Sequence, residues 1–344
     1  MRPAGLYATA LAVLLAACSR HEGEAPRASV PGPAAAVAAA EPAAVAPVTV
    51  EVCGQPVAYP RVPQRVVTHD VNITEMFLFL GLGEYLVGTS GIPADKEIDP
   101  AFRAQLARVP SLSRGAMNLE AIVGARADFV FGGWSYGFRP GQVTPELLAR
   151  HGIASYVLTE SCIHVGPRQR VSMDDTLADL RAIARIFRIE RQAEPRIQEL
   201  ERALRDLEQR TQAVPQRPRV FVYDSGQDIP VTSGRYGMPQ AMIEAAGGRN
   251  IFDDIPRNWP RGNWEDVVAR DPEWIVIVDY GQPDAQGKID FLLHKPELAG
   301  VDAVRHRRFF VLTYAEATPG PRNVARARAL AAALHPALMA AGRP

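Results

Sequence analysis

The stretch Gly115-Ala116-Met117-Asn118-Leu119-Glu120-Ala121-Ile122-Val123-Gly124-Ala125-Arg126-Ala127-Asp128-Phe129-Val130-Phe131 has a counterpart about 145 residues later. That counterpart is Gly262-Asn263-Trp264-Glu265-Asp266-Val267-Val268-Ala269-Arg270-Asp271-Pro272-Glu273-Trp274-Ile275-Val276-Ile277-Val278-Asp279. Each copy opens on a Gly-flanked helix start with one glutamate, continues as a short helix and ends in an apolar strand. Two similar α/β lobes, each offering a glutamate at an equivalent place, imply a bilobal protein that docks symmetrically onto a partner. This pattern points to binding rather than catalysis.

Working outward, short runs rich in Val, Ile, Phe and Tyr alternate with helical stretches, which is the pattern of parallel α/β architecture. Strands are expected near 65–68, 85–89, 128–132 and 155–159 in the first half, and near 219–224, 274–279 and 309–312 in the second. Helices are expected at 74–80, 119–125, 145–151, 239–246, 264–270, 288–293 and 324–341. Between the halves, Ser172 and Asp175 read as a capping box. Leu177, Leu180, Ile183, Ala184 and Phe187, then Ile197, Leu200, Leu204 and Leu207, follow helical spacing until Pro215 and Pro218 break it. The expected fold is therefore two parallel-sheet α/β lobes joined by one long interlobe helix, a link that limits hinge motion.

The N-terminus reads as a targeting segment. Met1-Arg2 is followed by an apolar stretch from Leu6 to Ala17, too short for a permanent bilayer span. It ends at Leu15-Ala16-Ala17-Cys18, which resembles a bacterial lipobox with Cys18 as the lipidated residue. Residues 19–47 are rich in Ala and Pro and contain no aromatic residue, so they read as a tether that cannot bury a core. The expected organisation is 1–18 signal peptide with lipobox, 19–47 tether, 48–170 N-terminal lobe, 171–214 interlobe segment and 215–344 C-terminal lobe. Thirty-eight basic and 38 acidic residues balance, and no basic run argues for nucleic acid. With Cys18 set aside, Cys53 and Cys162 remain; in an oxidising envelope they are expected to pair rather than stay as two buried thiols.

A family resemblance rests on residues spread over roughly 50–336. In the first half these are Arg65-Val66-Val67-Thr68, Asn72-Ile73-Thr74-Glu75, Leu80-Gly81-Leu82-Gly83, Leu86-Val87-Gly88, Met117-Asn118-Leu119-Glu120 and Ala127-Asp128-Phe129-Val130. In the second they are Thr232-Ser233-Gly234, the run Ala246 to Phe252, and the run Trp264 to Pro272. The chain resembles the periplasmic substrate-binding proteins of ABC importers for ferric siderophores, haem and cobalamin, with the cobalamin-binding members especially similar around 232–278. The resemblance implies a monomer in the periplasm that carries a chelate between its lobes to an ABC permease dimer with its ATPase. It implies no catalysed reaction and no enzymatic cofactor. It also implies that Glu120 and Glu265 dock onto the permease. The segment Thr313 to Gly320 lacks a second aromatic pair expected of the cobalamin members. With Arg322-Asn323-Val324 it is similar to proteins proposed to import a deazaflavin precursor, so an anionic non-metal ligand stays as an alternative, beside haem, a free metal ion and a signalling or chaperone role.

Ligands of open parallel sheets bind beyond the carboxyl ends of the strands. This places His69, Asp70 and Asn72 at the expected cleft, with Trp134, Tyr136 and Arg139. From the other lobe come Asp224, Arg235, Tyr236, Trp259, Arg261, Tyr280, Tyr314 and Arg322. Aromatic faces suit a large conjugated ligand and arginines suit its anionic groups. The seven histidines are scattered, without metal-site spacing, and His69 is the best-placed candidate for direct metal contact. Asp224-Ser225-Gly226 is not a nucleophile elbow, and Gly247-Gly248-Arg249-Asn250 has no phosphate-loop lysine.

Overall fold

The computed structural model describes residues 46–167 and 170–340. Cys18, the signal segment, most of the tether and the last residue of the expected C-terminal helix lie outside the described residues.

The first element is an antiparallel hairpin, β1 (Val48–Val52) and β2 (Gln55–Tyr59). Its two turn residues, Cys53 and Gly54, both have positive φ, 50° and 77°, which matches the twist of a two-residue hairpin. In β1 the valines alternate buried with exposed neighbours. The N-terminal sheet follows: β3 (Val66–His69), β4 (Leu86–Ser90), β5 (Ser111–Ser113), β6 (Phe129–Trp134), β7 (Gly137–Phe138) and β8 (Ala154–Val157). Its order is β5-β4-β3-β6-β7 with β8 on β6, and every pairing is parallel. The C-terminal sheet is β9 (Arg219–Tyr223), β10 (Arg249–Asn250), β11 (Trp274–Asp279) and β12 (Phe309–Thr313), parallel throughout in the order β10-β9-β11-β12.

The helices on the N-terminal sheet are α1 (Val71–Phe79), α2 (Arg103–Leu106), α3 (Leu119–Gly124) and α4 (Pro145–Arg150); α5 (Met173–Ile186) and α6 (Glu190–Thr211) follow. The second half adds α7 (Met238–Ala245), α8 (Trp264–Arg270), α9 (Ala285–His294), α10 (Asp302–Arg305), α11 (Tyr314–Ala317), α12 (Asn323–Leu334) and α13 (Pro336–Ala340). α8 and β11 fall at the expected residues. α1 starts three residues earlier than expected, because the Asp70 side chain caps it by accepting from the Val71 N–H at 2.7 Å. The expected C-terminal helix breaks at His335: Pro336 has no N–H to continue the ladder, and His335 turns its Nε2 to the Gly247 carbonyl at 3.1 Å.

The long helix between the lobes is α6, whose 22 residues span roughly 33 Å. The segment before it is a separate helix. The chain reverses at Arg188, which takes φ 60°, and α5 and α6 pack antiparallel. Arg181 of α5 reaches both Glu194 (2.9 Å) and Glu201 (2.6 Å) of α6.

In β9 and β11 alternate side chains enter different cores. Val220, Val222, Val276 and Val278 join a core that also holds α5, α6, α7, α12 and the whole N-terminal sheet. Phe221, Ile275 and Ile277 face the other way, against Trp264 and Leu292. Both faces of each strand are thus buried, as parallel sheets require.

Cys53 and Cys162 form a disulfide, with Cα atoms 5.2 Å apart across a sequence separation of 109 residues. It ties the β1–β2 turn to the segment after β8, as expected. Non-reducing alkylation should leave both cysteines unlabelled in intact mass. The Cys53→Ser/Cys162→Ser double variant should lose up to about 4–5 kcal/mol of stability in a guanidinium titration, the chain-entropy value for so long a loop.

Candidate functional site

The carboxyl ends of both sheets face each other where the lobes meet, and each contributes an aspartate directly after its first long strand. Asp70 follows β3 and Asp224 follows β9; both are buried. Each accepts a hydrogen bond from a tyrosine. The Tyr314 hydroxyl donates to Asp70 at 2.6 Å, across the lobes, and the Tyr280 hydroxyl donates to Asp224 at 2.8 Å. The two tyrosine rings meet edge to face, 5.1 Å between centroids. Four of the expected cleft residues therefore form one continuous chain, Asp70–Tyr314–Tyr280–Asp224.

Two lysines neutralise this chain. Lys96 Nζ donates to both Asp70 oxygens, at 2.8 and 2.9 Å, and sits 3.8 Å from the Tyr314 ring centre. Lys288 is buried. Its Nζ donates to the carbonyls of Val278 and Tyr280, at 2.6 and 3.2 Å, beneath the Tyr280 ring. Burial lowers the Lys288 pKa, opposed by Asp224. Burial raises that of Asp224, opposed by the hydroxyls of Ser225 and Tyr280 and the charge of Lys288. The sequence reading missed both lysines. The usable signal was scarcity: Lys96, Lys288 and Lys295 are the only lysines in a chain otherwise served by arginine.

His69 packs behind Asp70. Its Nδ1 lies 2.9 Å from the Ser90 hydroxyl. Its ring is enclosed by two backbones, so that a Cβ on Gly91 or Gly137 would come within 2.5 and 2.7 Å of it; both glycines have positive φ. Burial, outweighing the charge of Asp70, brings the His69 pKa down to about 4, so the ring is neutral at pH 7. Among the described residues no three His, Cys, Asp or Glu side chains are grouped to hold a metal ion.

A second interlobe contact is aromatic. The Trp259 Nε1–H donates to the buried Tyr136 hydroxyl at 3.1 Å, and the neighbouring Asn258 amide lies 3.3 Å from His164 Nε2. Trp134 is half-buried, with its ring edge-on to Phe138. Tyr236 is buried, while Arg139 and Arg261 are exposed. Arg235 turns away and donates to the Asp253 carbonyl at 2.8 Å.

Asn72 and Arg322, expected at the cleft, hold the lobes together. The Asn72 amide donates to the Pro319 carbonyl at 2.8 Å. Arg322 makes a two-pronged pair with Glu75, 2.9 Å on each prong, and Glu75 also accepts from the Asp99 N–H at 2.7 Å. Glu75 is fully buried. Burial pushes its pKa up to about 7, against the pull of Arg322. It was legible as the one acid among the apolar residues of α1.

Glu120 and Glu265 occupy the second positions of α3 and α8, and both are exposed. Each helix is capped by an asparagine: Asn118 accepts from Ala121 N at 2.9 Å and Asn263 from Asp266 N at 2.6 Å.

The sequence pattern of the periplasmic binding protein family matches residues 66–315. A vitamin B12-binding protein of Pectobacterium carotovorum is 29% identical over 238 residues, covering 69% of this chain and 78% of that one. Among solved structures, a periplasmic binding protein from Veillonella parvula superposes with a TM-score of 0.72 at 25% identity, over 84% of this chain and 98% of the other. A protein of Saccharomonospora viridis described as an Fe3+-hydroxamate transport system shares the fold, with TM-score 0.71 and 22% identity over 84% of this chain and 99% of its own.

Removing Arg322 should strand Glu75 without its cation. A buried carboxyl with a raised pKa favours folding while protonated and loses that contribution as pH rises from its unfolded value of about 4.3 through its folded value. Arg322→Ala should therefore cost about 3–5 kcal/mol at pH 8 and clearly less at pH 5. Glu75→Gln/Arg322→Met should recover most of the loss. Urea unfolding at the two pH values checks both statements.

Proposed function

The chain belongs to the periplasmic binding protein family, and from that premise we propose that it captures a metal chelate of the corrinoid or ferric-siderophore type between its lobes and delivers it to an ABC permease. Binding proteins of this kind carry a ligand rather than catalyse a reaction. The observation that carries the reading is the cleft, where Tyr280, Tyr314 and Trp259 of the second half face Asp70, Lys96 and Tyr136 of the first. Aromatic faces provide a wide contact surface and the paired charges provide orientation. The likeness to a vitamin B12-binding protein supports a corrinoid as the first ligand to try. In this reading Glu120 and Glu265 meet basic side chains of the permease, where carboxylate–cation pairs set register and orientation. Cys18 carries lipid, and the tether lets the folded body reach from the membrane surface.

Tryptophan fluorescence, corrected for ligand absorbance and checked by calorimetry, tests the ligand. Cobalamin, cobinamide, haem, hydroxamate and catecholate ferric siderophores, and free iron, zinc and manganese form the panel. Saturable submicromolar binding of one chelate, weakened at least tenfold by Trp259→Ala, is the expected result. Binding of a free metal alone would overturn the chelate reading. For the anchor, Cys18→Ala expressed in a Gram-negative host should move the protein from the membrane fraction to the soluble fraction.

A further inference from the structure

We propose that Val123 and Val268 are the apolar halves of two equivalent docking patches. Each patch is completed by the glutamate one helical turn earlier. Together they fit a homodimeric membrane protein that offers, at two equal sites, a basic side chain beside an apolar socket. The proposal rests on the reading of this chain as the binding component of an ABC importer, and it specifies the surface that such a component uses.

Among the described residues, four large apolar side chains are exposed: Val123 (43%), Val165 (51%), Ile229 (49%) and Val268 (41%). Single exposed apolar residues are ordinary on protein surfaces. What distinguishes two of these four is that they hold the same place in two different lobes. Val123 lies three residues after Glu120 in α3, and Val268 three residues after Glu265 in α8. That spacing puts each glutamate and valine on one helix face. The residue between, Ile122 or Val267, points the other way and is buried in both cases.

The equivalence extends to how each helix is held. Arg65, at the start of β3, donates from its Nε to the Arg126 carbonyl (3.0 Å) and from Nη2 to the Ala125 carbonyl (2.7 Å). Its backbone N–H bonds the Asp128 carboxylate at 2.9 Å. Arg219, at the start of β9, donates from its Nε to the Asp271 and Arg270 carbonyls, at 2.8 and 3.2 Å. Its backbone N–H bonds the Glu273 carboxylate at 2.9 Å. A left-handed residue closes each helix end, Arg126 (φ 52°) two residues after α3 and Asp271 (φ 42°) directly after α8. The same arginine clamp thus fastens each helix end to its sheet.

Two patches built alike on one compact body match a partner that presents its own site twice. The carboxylate calls for a cation there, and the valine, once covered, for an apolar surface beside it. Val165 and Ile229 have no counterparts of this kind.

The test measures association of the mature chain, without ligand, with its cognate permease–ATPase complex, held in nanodiscs, by biolayer interferometry. Val123→Ser/Val268→Ser should weaken association by roughly tenfold or more, the two single variants contributing equally. Val165→Ser/Ile229→Ser should associate as the native chain does, and all variants should keep the native unfolding midpoint. If the valine pair leaves association unchanged while Glu120→Ala/Glu265→Ala weakens it, the apolar half of each patch is refuted and glutamate docking stands. A loss confined to one valine refutes the equivalence. If neither pair matters, the docking reading falls and this inference falls with it, while ligand capture, measured separately, is untouched.

Discussion

Glu75 lies in α1 among Val71, Ile73, Met76, Phe77 and Leu78, with no surface left to water. A carboxylate there is tolerable only with a cation and hydrogen bonds around it. Arg322, 247 residues further on, provides the cation. Two more contacts reach back to the start of α1 from the same stretch of chain, Tyr314 to Asp70 and the Pro319 carbonyl to Asn72. The connection from β12 to α12 is therefore fixed against the first helix of the other lobe. A continuous core through α5, α6, α7 and α12 backs this contact. Opening the cleft widely would break a buried ion pair as well as apolar packing, so the fold favours small hinge motion over wide closure.

The two lobes are alike around α3 and α8 and different at the cleft. Cap, glutamate, exposed valine, left-handed residue and arginine clamp recur in both. At the cleft the duplication reaches Asp70 and Asp224 and then stops. Both tyrosines that bond these aspartates, Tyr314 and Tyr280, come from the C-terminal sheet, and only the N-terminal lobe supplies a lysine that grips its aspartate directly. A symmetric partner requires two equal patches. A ligand without that symmetry requires unequal walls. The strand–helix unit that carries each glutamate is repeated in the two lobes, while the number of strands and the loops at the carboxyl ends differ.

The long strands were readable because burial on both faces leaves continuous apolar runs such as Trp274 to Val278. α3 and α8 were readable from the glutamate-bearing helix start that recurs in both halves ahead of an apolar strand. The β1–β2 hairpin escaped despite its alternating valines, and the other strands that escaped were too short for a local signature. β5, β7 and β10 have two or three residues each, and their pairing is decided by the neighbouring strand. The reversal between α5 and α6 uses Arg188 in a left-handed conformation, where a glycine would have marked the helix end. In the site, the aspartates and tyrosines were found from their positions after strands. Their lysine partner was not, since Lys96 meets Tyr314 more than 200 residues away, a pairing that periodicity cannot reveal.

The charge state of the cleft bears on what it can hold. Both oxygens of Asp70 are engaged by Lys96, Tyr314 and the Val71 N–H, and Asp224 is bonded by Tyr280 and Ser225. A cation seated on Asp70 would have to displace Lys96 and the Tyr314 hydroxyl, and the neutral His69 ring is walled in by Gly91 and Gly137. A polyanion would have to compete with Asp70 for Lys96 and overcome the carboxylate behind it. Parting the lobes there breaks the Tyr136–Trp259 hydrogen bond and the Tyr314–Asp70 one together. The resting contacts thus tie any parting of the lobes to the loss of interlobe hydrogen bonds as well as of packing.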